Sequence, residues 1–150
     1  MAQSLSHIYI HLVFHTYTKG LLIKGTDAEE LYAYWGGTLK ELGCQPIAIN
    51  GMPDHVHLLF DLSRSITLSD VVKHLKQSGH RFLETKGAFY TGFAWQKGYA
   101  AFSVSAGLKD KVEQYIRHQK AHHTDLDARA EYIRLLELAG IEYNEEYLWG

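Results

Sequence analysis

Three features of this sequence predict an α+β fold with a ferredoxin-like (RRM-like) antiparallel sheet and helices packed on one face. Short segments of period-two alternation are separated by stretches of helical period. Hydrophobic residues make up 46% of the 150 residues, with only two prolines. The elements follow the order β-α-β-β-α-β before a helical tail. Such a chain suits one domain, residues 1–150, around one core. The single cysteine, Cys44, leaves no intrachain disulfide. No basic start followed by an apolar stretch marks a signal peptide, and no apolar run reaches the roughly 18 residues of a membrane span. The expected setting is therefore the cytoplasm, with no membrane partner.

The first strand is read over Ser6–Thr18, with Ile8, Ile10, Leu12 and Phe14 on a buried side. His7, His11 and His15 fall on the other, polar side, with neighbours roughly 13 Å apart, and His11 is the one expected to approach a site. Thr26-Asp27-Ala28-Glu29 has the form of a capping box opening a helix to Gly43, with Leu31, Tyr34, Trp35, Leu39 and Leu42 inward. Gly36-Gly37 inside this helix weakens it and suggests that another group approaches closely there. Gln45–Asn50 is the second strand, Gly51-Met52-Pro53-Asp54 a turn, and His55–Leu62 the third strand. Ser65 or Thr67 caps a second helix, with Leu68, Val71, Val72, Leu75 and Phe82 inward and Lys73, Lys76, His80 and Arg81 outward. Trp95–Ser105 reads as extended, Leu108–His123 as a helix, and Asp127–Ala139 as a further amphipathic helix before Tyr143, Tyr147 and Trp149.

The third strand carries the chemistry. On a strand, His55 and His57 project from one side with Cα atoms roughly 6.6 Å apart, so two imidazoles can converge on one cation. Val56, Leu58, Phe60 and Leu62 fill the opposite face and fix the register, because a one-residue slip would turn both histidines into the core. Taken alone the pair also reads as polar residues on a solvated face. Tyr115 and Gln119, four apart on a helix, share a face. Two imidazoles and one amide oxygen would leave open positions on a Mg²⁺ or Mn²⁺ that also holds a phosphate oxygen, manganese taking imidazole more readily. Zinc more often uses a third histidine or a thiolate. Such a metal could favour the phenolate of Tyr115, whose ordinary pKa of about 10 makes it a poor nucleophile otherwise.

Net charge is −2, which by itself argues against a partner as anionic as DNA. Its distribution is uneven. Residues 64–120 hold ten Lys/Arg against four Asp/Glu, a +6 segment flanked by −3 over residues 1–63 and −5 over residues 121–150.

The runs Met52-Pro53-Asp54-His55-Val56-His57-Leu58-Leu59, Trp95-Gln96-Lys97-Gly98-Tyr99-Ala100-Ala101-Phe102-Ser103-Val104-Ser105 and Tyr115-Ile116-Arg117-His118-Gln119-Lys120-Ala121-His122-His123 occur in that order. Together they resemble the single-tyrosine HUH transposases (Y1 transposases) of small bacterial insertion sequences, and the related REP-associated tyrosine transposases. The similarity extends through Gly140-Ile141-Glu142-Tyr143 and Tyr147-Leu148-Trp149; Ala100 stands where relatives often have glycine. The resemblance implies metal ligation by His55, His57 and Gln119, and a nucleophilic Tyr115 on a C-terminal helix. It implies attack on single-stranded DNA at hairpin-forming element ends through a 5′-phosphotyrosine, with a divalent metal and no nucleotide cofactor. It also implies a homodimer in which the tyrosine of one subunit completes the histidine site of the other. DNA contacts would then fall to Lys73, Lys76, Arg81, Lys97, Arg117 and Lys120 in the basic segment. A histidine-triad-like nucleotide hydrolase would want a third alternate histidine where Leu59 stands and leaves Tyr115 unexplained. A domesticated hairpin-binding regulator of the same fold would not need all four of His55, His57, Tyr115 and Gln119.

Overall fold

The computed structural model describes residues 2–122 and 127–150. The strands are β1 (Tyr9–His15), β2 (Gln45–Met52), β3 (His55–Asp61) and β4 (Ala100–Val104), in the order β2-β3-β1-β4 and antiparallel throughout. Helices α1 (Gly25–Glu41) and α2 (Leu68–Glu84) complete the β-α-β-β-α-β order, so the expected ferredoxin-like α+β architecture is present. Then follow α3 (Lys109–Arg117), α4 (Gln119–His122), α5 (Ala128–Leu138) and α6 (Glu145–Leu148). No helix among the described residues is long and apolar enough to cross a membrane.

The even side of β1 and β3 forms the main core. Ile10, Leu12, Phe14, Val56, Leu58 and Phe60 pack against Leu31, Trp35 and Leu39 of α1 and Val71, Val72 and Leu75 of α2. Each large side chain so buried contributes on the order of 1.5–3 kcal/mol. The helices approach closely at Gly79, where a Cβ would lie 2.8 Å from Trp35 Cζ2, and the indole donates to Leu75 O at 2.8 Å. Close approach at Gly36-Gly37 does not occur, since a Cβ at either would meet nothing within 4 Å. The expected capping box is also absent. The helix begins two residues earlier, at Gly25 after Lys24, with no side-chain cap, and Asp27 accepts from the Tyr90 hydroxyl at 2.5 Å instead. Tyr34 is 44% exposed and stacks on Phe82, while Tyr32 takes the inward position. Thr67 caps α2 as expected, accepting from Asp70 N.

The other side of the sheet departs most from expectation. Rather than a solvated polar face, it is a second buried layer. Ile116, Val112 and Tyr115 of α3 pack on Ala48 and Leu59, while Tyr132 and Leu136 of α5 join Val13 and Ala100, with Leu148 and Trp149 of the tail beside them. His11 and His15 are each only 5% exposed. Alternation of histidine and aliphatic on β1 reads as polar against apolar, but imidazoles, intermediate in their tendency to be buried, can be enclosed where a second layer of helices covers them.

The helix expected over Leu108–His123 is interrupted. Ala106–Leu108 is a 3₁₀ turn, α3 ends at Arg117, His118 has a non-helical backbone, and α4 starts at Gln119. Asn50 of β2 holds the break open by donating to the Ile116 and Arg117 carbonyls at 3.0 and 3.2 Å, groups a continuous helix would use itself. His123 lies outside the described residues.

Candidate active site

The β2–β3 connection is a tight turn at Pro53-Asp54, with Met52 paired to His55 and Gly51 to Val56. Gly51 is required by proximity: a Cβ there would stand 2.3 Å from His55 O and 2.9 Å from Val56 Cα. That close approach seats His55 and His57 firmly, and both are fully buried. Across the β1–β3 ladder His15 opposes His55 and Val13 opposes His57, which leaves His11 diagonal to His57. Accordingly, the His15 ring stacks on His55 with centroids 5.3 Å apart, and His11 Nε2 lies 2.8 Å from His57 Nδ1. Asp54 Oδ1 accepts from His55 Nδ1 at 2.8 Å. Each histidine of the pair is thus held through Nδ1, directing Nε2 inward, as orienting partners do for metal-binding imidazoles.

Both Nε2 atoms meet a residue that the sequence reading did not select. Glu131 of α5, 2% exposed, places Oε1 2.8 Å from His57 Nε2 and 3.3 Å from His55 Nε2. Its Oε2 accepts from the Tyr115 hydroxyl and from Gln119 Nε2, the latter at 3.1 Å. Gln119 Oε1 lies 3.3 Å from His55 Nε2, and the Tyr115 ring is 5.9 Å from that of His57. All four expected residues, His55, His57, Tyr115 and Gln119, therefore come together, and within one chain. The break at His118 permits this, letting Gln119 turn inward while Tyr115 stays packed on the layer.

Electrostatics follow from this burial. Desolvation would lower His55, but the carboxylates of Asp54 and Glu131 outweigh it and push its pKa up to about 9. Burial would raise Glu131, yet hydrogen bonds from His55 and His57 hold it well below the usual carboxylate range. Burial and the Glu131 carboxylate push the Tyr115 phenol upward, so the hydroxyl keeps its proton and donates it. Burial and the neighbouring His57 lower His11 to about 3, and burial and His55 lower His15 to about 4.

The donor set suits a divalent ion. Ligand atoms of His55, His57 and Glu131 all lie within 4.8 Å of one another, and the Gln119 amide oxygen adjoins them. Two imidazoles, a carboxylate and an amide oxygen match Mn²⁺ or Mg²⁺ better than two imidazoles and an amide alone, because hard cations favour charged oxygen. The Glu131 signal was present in the sequence: it stands in the apolar stripe of Ala128, Tyr132, Leu135 and Leu136, where a lone carboxylate has no reason to be buried unless paired.

The basic residues are distributed differently. Lys73 and Arg81 are exposed on α2, across the sheet from the histidines. Lys76 Nζ donates to the Gln96 and Gly98 carbonyls at 2.7 Å each, pinning the loop before β4, and burial lowers its pKa to about 8. Lys97 is exposed and its backbone N–H donates to Gly150 O. Arg117 pairs with Glu113 and donates to Ile47 O, and Lys120 lies 3.7 Å from Glu29. Arg134 was not singled out, yet its charge acts on Tyr115.

Comparison with known proteins bears on family and fold. The family model described as "Transposase IS200 like" matches residues 4–119, a span that includes His55, His57, Tyr115 and Gln119 and stops short of Glu131. The chain is 26% identical over 114 residues to the ISDra2 transposase TnpA of Deinococcus radiodurans, covering 73% of this chain and 81% of that protein. Among solved structures, a Deinococcus radiodurans chain crystallised as a candidate transposase superposes with a TM-score of 0.59 at 25% identity, covering 79% of this chain and 98% of that one. A REP-associated tyrosine transposase bound to a REP hairpin has the same fold, with a TM-score of 0.59 at 13% identity over 82% of this chain and 74% of that one.

Proposed function

The chain belongs to the family of IS200-like transposases, and from that membership we propose that it cleaves and rejoins single-stranded DNA at hairpin-forming insertion-sequence ends, with Tyr115 as nucleophile and Mg²⁺ or Mn²⁺ as its cofactor. The observation that carries this reading is the convergence of both imidazole Nε2 atoms and the Glu131 carboxylate beside the Tyr115 hydroxyl. His55, His57 and Glu131 would hold the ion, with Gln119 as a further oxygen donor. Bound there, a divalent ion would supply Lewis-acid stabilisation of the charge that builds on a phosphodiester oxygen.

The remaining work falls to the chain's own side chains. Tyr115 Oη forms a bond to phosphorus as the bond from phosphorus to the 3′ oxygen breaks. Glu131, held ionised, orients the Tyr115 hydroxyl through Oε2; the phenolic proton leaves to solvent as the new bond forms, and the departing 3′ oxygen takes a proton up from water. A 5′-phosphotyrosine and a 3′-hydroxyl result. Attack by a 3′-hydroxyl reverses the step and joins strands; one phosphodiester is exchanged for another, so no nucleotide cofactor is required.

In this reading Tyr115 serves the histidines of its own chain, and a homodimer brings together two complete sites instead of sharing one. The hairpin-bound structural neighbour supports a hairpin as the DNA feature recognised. Incubation with single-stranded hairpin DNA and Mn²⁺, followed by denaturing electrophoresis, is the test. A denaturation-resistant adduct that Tyr115→Phe fails to form supports the assignment; an equal yield from that variant removes it. Hairpin binding with no cleavage under any divalent ion favours a regulator of the same fold.

A further inference from the structure

Beside the histidine pair lies a cavity of about 310 Å³ to which the reaction above assigns no role. Its lining includes His15, Tyr17, Asp54, Asp127, Arg129 and Trp149. It adjoins the metal-binding pair directly, because His15 stacks on His55 and Asp54 accepts from His55 Nδ1. His15 is only 5% exposed, yet among the described residues neither of its ring nitrogens meets a partner at full hydrogen-bonding geometry, although the Ala128 backbone and the Gln96 side chain lie close enough to act on it. A buried imidazole with both nitrogens unsatisfied costs free energy unless something completes it.

The lining indicates what that something is. One side of the lining is built of planar groups: the Arg129 guanidinium lies 4.8 Å over the Trp149 ring, and the Trp149 ring meets that of His15 edge to face at 5.3 Å. Tyr17, 38% exposed, adds an aromatic ring to the lining. Two carboxylates against one guanidinium make the cavity hostile to a phosphate and receptive to N–H donors. A planar, uncharged ligand with hydrogen-bonding edges fits this chemistry. Protein sites that read unpaired bases combine stacking on aromatic or guanidinium planes with hydrogen bonds to the base edge.

Resting on the single-stranded DNA reading, we propose that this cavity receives one unpaired nucleobase adjoining the scissile phosphate, and that it prefers bases with an exocyclic amino group over thymine. Asp54 or Asp127 would accept from the amino group, and His15 would complete the edge.

The test uses the full chain in Mg²⁺ and fluorescently labelled tetranucleotides of deoxyadenosine, deoxycytidine or thymidine, with an abasic tetramer of the same charge as the reference. Anisotropy should show the adenine and cytosine tetramers binding roughly five- to hundred-fold more tightly than the abasic one, the range one stacked base contributes. Thymine should fall between. His15→Phe should keep the stack but shrink the adenine-over-thymine preference, whereas Arg129→Ala, at an exposed position, should weaken adenine binding by a larger factor than it weakens the abasic tetramer, which loses only the charge. Equal affinity for adenine and abasic tetramers, or a preference untouched in both variants, overturns the proposal. If hairpin DNA still forms the Tyr115 adduct in that case, only the base pocket is lost; if no DNA binds at all, both readings fall.

Discussion

Replacing Glu131 with glutamine changes one oxygen to an amide nitrogen and removes one charge from the centre of the site. In the ion-free protein, Oε1 faces two imidazole nitrogens at 2.8 and 3.3 Å, and Oε2 accepts from Tyr115 and Gln119. Making these contacts neutral, and setting an amide N–H₂ against the Gln119 amide, should cost on the order of 1–2 kcal/mol of folding stability. The effect on the ion should be larger. Altering a mere orienting partner of a metal ligand costs 10–100-fold in affinity, so loss of the only anionic ligand should cost at least about 100-fold. At a Mn²⁺ concentration 100 times the parent Kd, bound metal stabilises the parent by about 2.7 kcal/mol; the variant, at a concentration then equal to its own Kd, would gain only about 0.4 kcal/mol. Urea denaturation with chelator and with Mn²⁺, beside calorimetric titration of Mn²⁺, measures both quantities. Parent-like Mn²⁺ affinity in Glu131→Gln would refute the ligand assignment, and an unchanged ion-free stability would refute the buried network.

Two further outcomes are expected. With chelator present, the folded protein keeps a proton on His55 that the unfolded chain releases above its ordinary 6.5, so the His55 contribution is full below pH 6.5 and declines as pH climbs toward about 9. Between pH 6.5 and 8 that loss is about 1.5 kcal/mol, read from urea midpoints, and a midpoint that rises over this interval contradicts the Asp54–His55–Glu131 arrangement. Gly51→Ala would drive a Cβ into the His55 carbonyl and the Val56 backbone, which cannot swing aside, and should destabilise by about 1–3 kcal/mol while weakening Mn²⁺ binding; a neutral result would mean that the turn does not seat the histidines.

What the sequence disclosed and what it hid divide along one physical line. The His55–His57 strand, its register and the β-α-β-β-α-β order were legible because period-two and period-3.6 patterns are local. For the fifth participant the sequence held only a hint, a carboxylate set in the apolar stripe of α5, because Glu131 is placed by contacts with residues 74 and 76 positions away that no local pattern reveals. The break at His118 was hidden likewise, because the side chain that stabilises it is Asn50, on β2, 66 residues from the Ile116 carbonyl it donates to. His7, His11 and His15 looked equivalent by spacing. Only cross-strand pairing separates them: His7 bonds Asp61, His11 steadies His57, and His15 faces the cavity. The basic residues were counted correctly but not located, because charge along a chain says nothing of which layer an amphipathic helix covers. Lys76 illustrates this, its ammonium spent on backbone carbonyls.

The central claim is that one chain supplies both the metal ligands and the nucleophile. Mixing His57→Ala protein with Tyr115→Phe protein, each inactive alone, tests it most directly. If α3 returns to its own sheet in the active enzyme, every subunit in the mixture has a crippled site, and hairpin DNA should yield no more adduct than either variant by itself. Adduct recovered on mixing, at a substantial fraction of the parent yield, would show that the tyrosine crosses between subunits.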